Sequence, residues 1–567
     1  MRAIYLYTYD SIGNLIASEM QDAAGNCVMR AYQNYDASGQ LVGQSVYLGD
    51  SNYSKSYTYN TDGALATITT GTGQTLSYTY DTLKRLTAVN GSMYTKNYTY
   101  RDLNNYYTTE QISQLQYTGL PAELTYGYTY DALGNIATYT ASGKSTITYT
   151  YDNQGQLLSA VGDETYTYTY DDVGNVLTAN GHTYTYGDTN WRDLLTAYDG
   201  ETITYDASGN PLSYYNGTRW AFTWENGRSL ATATDGTTNI SYAYDANGLR
   251  TSKVVNGVTH NYLYASGQLM RETYGGNTLD SFYDANGYPY ALKLNGTTYY
   301  YITNLQGDVM YLIDTNENTV ASYEYDPYGN IVSATGTMAQ INPLRYRGYY
   351  YDAETGLYYL QSRYYSPSMG RFINADAYIA TGQGTVGNNM FAYCLNNPVN
   401  MVDFAGDYPE WAVNALTPYA ETEAGYSLRK AMNQSMMSGS SRSSLPVKGA
   451  PNSSDILLNP DGTIKQKRWY DEKGNALRDR DYNHGGEENG IPFPHDHEWG
   501  NGKRGEEHLD PSPEYEFTSH PIISILIIAA CSVGALGLTA DDLTGVGVSD
   551  NFLFVPLLSI IAGEIGQ

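Results

Sequence analysis

The sequence predicts a mainly β protein, and the tyrosines are the first observation behind this prediction. The chain has 567 residues and 63 tyrosines, of which 57 precede residue 408. They recur as Tyr-x-Tyr-x-Tyr-Asp, and a Gly-Asn or Gly-x pair begins three residues after the aspartate. Asp131, Asp152 and Asp171 lie 21 and 19 residues apart, a period that fits two strands and two turns.

Each repeat predicts a strand, a tight turn and a returning strand. Successive side chains of a strand point to opposite faces, so Tyr166, Tyr168 and Tyr170 should line one face and the intervening threonines the other. Tyrosine and threonine both favour a pleated, half-buried surface. The aspartate can accept a bond from the backbone two residues on, and glycine supplies the positive φ that closes a hairpin.

An array of such hairpins must bury its tyrosine face. One hairpin is marginal in water, so the repeats are expected to stack into a spiral or shell that also protects the strand edges. A tyrosine face differs from a valine or leucine face, because each buried phenol needs a hydrogen-bond partner. The wall therefore either stabilises itself as a tyrosine ladder or encloses something.

Composition restricts the function. The formal net charge of −28 argues against nucleic-acid binding by the array itself. Cys27, Cys394 and Cys531 are odd in number and far apart, so no disulfide framework is indicated. The chain enters a repeat at once without an apolar leader, which predicts no signal peptide here and the continuation of a longer protein. The tyrosine content falls near residue 407, where we place a domain boundary.

Residues 320–406 carry a more specific pattern. Its motifs are YDPYGN at 325–330, RYRGYYYDAETGLYYL at 345–360, RYYSPSMGRF at 363–372 and NPVN at 397–400. This stretch closely resembles the Rhs-repeat-associated core of the Rhs/YD-repeat family, to which bacterial polymorphic toxins belong. The resemblance implies repeats that spiral into a hollow shell, a core that plugs one end, and a variable C-terminal toxin that is held inside and often cut free.

That release is attributed in the family to an aspartyl protease with two Asp-Pro-x-Gly motifs, and the matching positions are Asp376 and Asp403. Two neighbouring carboxylates share a proton, so that one acts as base and the other as acid. Both aspartates are present, but both prolines are replaced, the first motif lacks its glycine and the spacing is longer than usual. Alternatively, both are turn aspartates of the core. A cut, if made, is expected just after Gly406 or Asp407.

The C-terminal part is predicted to contain a small α+β domain. Residues 408–444 are predicted to be a linker with a short helix at 411–430 and a flexible serine-rich stretch. Beyond it, the segments 457–470 and 475–482 border Asp-Gly and Lys-Gly-Asn turns, which indicates a β-hairpin or meander. Residues 445–505 also resemble, less closely, a nuclease module of polymorphic toxins, which implies RNA or DNA as the target.

This domain concentrates chemistry, since residues 484–520 hold five of the seven histidines. Imidazole beside a carboxylate suits acid–base cleavage of a phosphodiester, and Arg480, Lys503 or Arg504 could neutralise the phosphate. Alternatively, His484 with a second histidine and an aspartate could bind a divalent metal, the one cofactor considered. A third interpretation leaves the histidines as solvated side chains of a polar loop. The candidate nuclease residues are His484, His495, His497, Asp481 and Arg480.

The last segment, 521–567, is predicted to be an apolar helical hairpin. Its first run, 521–538, is uncharged and reaches the lower limit of the ~17 to 25 residues that span a bilayer. The second run, 552–562, is too short for a span. The first run is therefore either one transmembrane helix or a buried helix.

The chain is predicted to be the C-terminal portion of a secreted or surface-exposed Rhs-type toxin, and its function is predicted to be cleavage of nucleic acid in competitor cells. Its expected partners are an immunity protein, a missing N-terminal shell or delivery component, the nucleic-acid target, and a membrane at 521–538. The rival hypotheses are a non-enzymatic surface or secreted protein whose array binds carbohydrate, and a truncated remnant. The predicted divisions are the array 1–319, the core 320–407, the linker 408–444, the toxin module 445–520 and the tail 521–567.

Overall fold

The structure, a computed structural model, describes residues 4–411 apart from 12–13, 22–23, 49–50, 71–72, 104–106, 246–247, 266, 377–385 and 408, and five strands between 454 and 504. Within these residues the chain forms antiparallel strands and three 3₁₀ turns, at Tyr346–Gly348, Val386–Asn388 and Cys394–Asn396. The prediction of a mainly β fold is confirmed. The helices predicted within 411–430 and 521–567 lie outside the described residues, except that Trp411 belongs to a strand.

The first sheet is a 19-stranded antiparallel meander in which each strand pairs with its neighbours in sequence. Its strands are β1 Ile4–Tyr9, β2 Leu15–Gln21, β3 Cys27–Tyr35, β4 Leu41–Leu48, β5 Ser51–Tyr59, β6 Leu65–Thr70, β7 Thr75–Tyr80, β8 Leu86–Asn90, β9 Thr95–Leu103, β10 Tyr107–Thr118, β11 Leu124–Tyr130, β12 Ile136–Ala141, β13 Ile147–Tyr151, β14 Leu157–Val161, β15 Thr165–Tyr170, β16 Val176–Ala179, β17 His182–Thr185, β18 Ala197–Tyr198 and β19 Glu201–Thr202.

The second sheet continues the same pattern with 13 strands. Its strands are β20 Ser213–Tyr215, β21 Arg219–Glu225, β22 Ser229–Thr234, β23 Asn239–Tyr244, β24 Arg250–Val255, β25 Val258–Ala265, β26 Gln268–Tyr274, β27 Asn277–Tyr283, β28 Pro289–Leu294, β29 Thr297–Thr303, β30 Val309–Ile313, β31 Thr319–Tyr325 and β32 Ile331–Thr335. Two small sheets follow, formed by β33 Tyr350–Asp352, β34 Leu357–Tyr359, β35 Tyr364–Ser366 and β36 Arg371–Phe372, and by β37 Met401–Val402 and β38 Glu410–Trp411.

The repeat turns that begin with an aspartate are built by it, as the sequence predicts. Oδ1 of Asp131 accepts bonds from the N–H groups of Leu133 at 2.8 Å and Asn135 at 2.9 Å, and Oδ2 accepts one from the Asn135 side chain at 3.0 Å. Gly134 has a φ of 89°, a conformation that glycine adopts at no steric cost. The alternation also holds, because in β15 the threonines are exposed and the tyrosines are buried or half-buried.

The tyrosine at the end of most repeat strands, usually just before the turn aspartate, donates a hydrogen bond to the backbone of the preceding repeat. The hydroxyl of Tyr151 donates to the carbonyl of Ile136 at 2.8 Å, directly after the previous turn. This bond satisfies the buried phenol and ties consecutive repeats together, so we call the series the tyrosine ladder. The same bond runs from Tyr35 to Leu15, Tyr59 to Leu41, Tyr80 to Leu65, Tyr100 to Leu86, Tyr130 to Ile112, Tyr170 to Leu157, Tyr186 to Val176, Tyr205 to Leu195, Tyr244 to Leu230, Tyr283 to Leu269 and Tyr325 to Val309.

The inner faces of the two large sheets contact each other directly. The hydroxyl of Tyr94 donates to the carbonyl of Tyr301 at 2.7 Å, and that of Tyr117 donates to the carbonyl of Thr303 at 2.8 Å. One continuous apolar core contains residues of both sheets and of β33–β37. A cavity of about 210 Å³ lies between the sheets and is lined by tyrosines and carboxylates of both. The small strands of residues 350–402 are therefore fixed by the walls around them.

The described part of the C-terminal region is a separate five-stranded antiparallel sheet. Its strands are β39 Ser454–Leu458, β40 Ile464–Tyr470, β41 Ala476–Asp481, β42 His495–Gly500 and β43 Lys503–Arg504. The predicted meander is confirmed in the backbone. Between 454 and 504, the helical part of the predicted α+β domain has no counterpart in the described residues, all of which are strand.

Candidate active site

Two buried aspartates meet on one guanidinium group. Asp376 follows β36 and Asp403 follows β37. Nη2 of Arg363 lies 3.0 Å from Oδ2 of Asp376 and 3.6 Å from Oδ2 of Asp403. All three residues are buried. The core thus brings together the two aspartates that the sequence singled out as the protease pair, and it adds a cation between them.

Arg363 is held in place from several sides. Its guanidinium carbon lies 3.5 Å from the centre of the Phe372 ring, and its Nη1 donates to the carbonyl of Met390 at 3.2 Å. Its Nε donates to the carbonyl of Gly406. Sequence reasoning did not single out Arg363, because an arginine beside a short strand gives no sign of which carboxylates it meets. Its position within the core motif was the only signal available.

The pKa of Asp403 is raised to about 7, chiefly by burial and in smaller part by the neighbouring Asp407 and Asp376, against the opposing effect of Arg363. A carboxyl group with this pKa carries its proton through much of the range below neutrality. One aspartate of the cluster can therefore serve as an acid at a pH where ordinary carboxyl groups are ionised. This division of roles is what an aspartyl protease requires.

The carboxyl group of Asp403 also contacts the peptide bond where a cut is expected. Its Oδ1 accepts bonds from the N–H groups of Gly406 at 2.7 Å and Asp407 at 3.1 Å. The backbone N–H of Asp403 donates to the hydroxyl of Tyr349 at 2.8 Å. These bonds close a tight turn, and they also place the acid beside the nitrogen of the Gly406–Asp407 bond. The turn and the protease interpretations thus share one geometry.

The second candidate site lies on the C-terminal sheet, where the backbone register pairs histidines with aspartates. His495 is opposite Asp481, and His497 is opposite Asp479. Residues paired directly across antiparallel strands belong to the same face, so these four share one face. Arg480 is opposite Asp496 and falls on the other face, apart from the residues with which the sequence grouped it.

A basic residue that sequence reasoning missed shares the histidine face. Arg468 of β40 is opposite Asp479 of β41, so it occupies the same face as His497. The cross-strand register, which no single segment reveals, is the signal that finds it. His484 lies outside the described residues. Among the side chains that the structure describes, no group of three or more histidine, cysteine or acidic residues is placed to hold a metal ion.

The predicted transmembrane helix at 521–538 lies outside the described residues. Elsewhere, among the residues that the structure does describe, none forms a helix long and apolar enough to cross a membrane.

A family model and several individual proteins are similar in sequence to this chain. The family model of the Teneurin YD-shell matches residues 101–399. The tRNA3(Ser)-specific nuclease WapA of Bacillus spizizenii is 32% identical over 387 residues, which are 66% of this chain and 15% of that protein. The toxin subunit YenC1 of Yersinia entomophaga is 26% identical over 457 residues, which are 71% of this chain and 42% of that subunit. The chain thus spans less than a sixth of the WapA relative.

Solved structures support the same fold. The TcdB2–TccC3–Cdc42 complex superposes with a TM-score of 0.52 at 18% identity, over 71% of this chain and 26% of that one. The Photorhabdus luminescens Tc holotoxin pore gives a TM-score of 0.52 at 20% identity, over 74% of this chain and 27% of that one. At these identities the likeness concerns the fold alone.

Proposed function

The chain belongs to the Rhs/YD-repeat family, since the Teneurin YD-shell model spans more than half of it, and from this premise we propose that it is the self-cleaving part of a secreted polymorphic toxin. The core would cut the chain just after Gly406 or Asp407 and so free the C-terminal region from the shell. One observation carries this proposal: a single guanidinium contacts both aspartates and the carbonyl of Gly406.

The cluster supplies the parts of an aspartyl protease reaction. Asp376 acts as the base and takes a proton from a water molecule whose oxygen attacks the carbonyl carbon of the scissile bond. Asp403, in its protonated form, gives its proton to the nitrogen as the C–N bond breaks. Arg363 holds both carboxyl groups and draws charge from the carbonyl oxygen. The lost prolines do not disturb this arrangement, because the contacts come from side chains that survive.

The proposal predicts that the full-length chain, made in a bacterial host, is recovered as two fragments. The intact mass of the larger fragment should correspond to a C-terminus at Gly406 or Asp407. The Asp376→Asn variant, which keeps the size of the side chain but cannot accept the proton, should be recovered whole. Recovery of the wild type as a single chain after prolonged incubation at pH 5–8 would count against self-cleavage.

For the released region we propose a nuclease that acts on nucleic acid in competitor cells. The observation that favours it is the face of the C-terminal sheet on which His495, His497, Asp479, Asp481 and Arg468 share register positions. The tRNA nuclease names of the WapA relatives support RNA as the target class. Such an effector implies an immunity protein in the producer and a delivery component, and it places the toxin outside the producing cell.

This second proposal predicts growth arrest and degraded RNA when the full chain is produced in a bacterial host under tight control. The His495→Ala, His497→Ala double variant should restore growth, because both register pairs lose their imidazole. His182→Ala, which removes a histidine of the shell, should remain toxic. Protection of the RNA in lysates by a chelator would assign the cleavage to a bound divalent metal, and persistence would assign it to acid–base chemistry. Normal growth of the wild type would favour the rival carbohydrate-binding hypothesis.

A further inference from the structure

Ser362 is hydrogen-bonded to the backbone of residues 405–406, directly before the expected cut. The hydroxyl of Ser362 lies 2.7 Å from the carbonyl oxygen of Ala405 and 2.6 Å from that of Gly406. The N–H of Ser362 donates to the Ala405 carbonyl at 3.0 Å. The hydroxyl has one proton for two successive acceptors, so it donates to one carbonyl or the other. Residues 405–406 are thereby fixed against the loop that carries the catalytic arginine.

This hydrogen-bonded contact depends on glycine at position 406. Gly406 has a φ of 75°, in the left-handed region that favours glycine. A Cβ atom there would lie 2.7 Å from the carbonyl oxygen of Leu360 and 2.9 Å from Oγ of Ser362. Both distances are shorter than real Cβ atoms tolerate. A residue with a side chain could not approach Ser362 so closely, so the serine and the glycine form one fitted contact.

We propose that Ser362 is a positioning residue that sets the register of self-cleavage. Ser362 and Arg363 are consecutive, so one short loop holds the substrate backbone through the serine and both carboxyl groups through the arginine. A slip of one residue moves an extended chain by about 3.3 Å, which would carry a different peptide bond to the aspartates. This inference rests on the proposed self-cleavage, and it adds that Ser362 determines which peptide bond is cut.

The test compares the wild type with Ser362→Ala in the full chain, made in a cell-free system and sampled over time. The alanine variant should cleave about 10- to 100-fold more slowly, since small misplacements of a reacting group cost that much. It should also yield a mixture of C-termini, where the wild type yields one, as read by the intact mass of the larger fragment. Ser362→Thr, which keeps the hydroxyl, should restore the single C-terminus. Ser368→Ala, on the same segment but remote from 405–407, should behave as the wild type.

The outcomes separate this inference from the proposal beneath it. A wild-type chain that stays whole overturns both. A Ser362→Ala chain that cleaves to one and the same C-terminus overturns the role of Ser362 and leaves self-cleavage standing. Should the alanine variant yield no fragment, the threonine variant decides: cleavage at the wild-type bond supports the inference, and its loss overturns it.

Discussion

Self-cleavage of the Asp403→Asn variant is expected to be about 10²- to 10⁴-fold slower than that of the wild-type chain, which is the usual contribution of a general acid or base. Asparagine keeps the shape of the side chain, and its oxygen can still accept bonds from the N–H groups of Gly406 and Asp407. It has no carboxyl proton to give to the leaving nitrogen. Fragment formation should be followed by gel and mass spectrometry on chains made in a cell-free system.

The matched control is Asp326→Asn. Asp326 is also buried, and burial raises its pKa to about 6, but it closes a repeat turn with Asn330 and has no contact with Arg363. Its variant should cleave at the wild-type rate. If Asp403→Asn cleaves as fast as this control, Asp403 is a turn residue and the alternative interpretation of the sequence is correct.

The same carboxyl group gives cleavage a pH dependence of known sign. The folded-state pKa of Asp403, about 7, lies above the value of about 3.9 expected when unfolded. The wild-type rate should therefore fall as the pH rises through 7, by about tenfold per unit beyond it, as the acid loses its proton. The stability that Asp403 contributes is complete below about pH 4 and is lost as the pH rises to about 7, because the folded chain binds the extra proton.

The Asp352→Ala variant is expected to lose about 3–5 kcal/mol of unfolding free energy, the usual cost of removing one partner of a buried ion pair. Asp352 is fully buried, with Oδ2 at 2.5 Å from Nη1 of Arg250 and Oδ1 at 2.9 Å from Nζ of Lys253. Burial would raise its pKa, but the two cations hold it below its ordinary value. Alanine would leave both cations buried without that carboxylate, and it would cut the link between β24 and β33.

Glu354→Ala is the matched control, because Glu354 contacts Lys253 at 2.9 Å but is part-exposed. Its loss should cost about 1 kcal/mol or less. The measurement is the midpoint of urea unfolding followed by aromatic fluorescence, in the Asp376→Asn background so that cleavage does not interfere. Equal midpoint shifts for the two variants would show that Asp352 contributes no more to stability than the part-exposed Glu354 does.

The fold could be predicted because its rules are local. The alternation of tyrosine and threonine and the Asp-x-x-Gly turn both act within a few residues, and both are borne out in β15 and at Asp131. The expectation that each buried phenol finds a partner is only partly met, since the hydroxyls of Tyr98, Tyr126 and Tyr242 have none among the described residues. Their rings pack within a dense aromatic core instead, where contact area outweighs one unmade bond.

The candidate sites were less accessible to sequence reasoning, because they depend on contacts between distant segments. Asp376 and Asp403 were found through a family motif, whereas Arg363 and Ser362 emerge only when the core folds around them. On the C-terminal sheet, the histidines were visible as a cluster, but the cross-strand register decides which neighbours share their face. That register separates Arg480 from the histidines and joins Arg468 to them.

The tyrosine ladder has a direction, and this bears on how such a protein is made and how it changes in evolution. Every rung runs from a tyrosine back to a carbonyl earlier in the chain, as from Tyr151 to Ile136 and from Tyr170 to Leu157. Because the two partners of a rung lie only 10 to 20 residues apart, a rung can close as soon as the later of its two repeats has been synthesised. Because most boundaries use the same bond, and Trp224 makes an equivalent bond to the carbonyl of Pro211 at another, whole repeats can be duplicated or deleted with few changes in their neighbours.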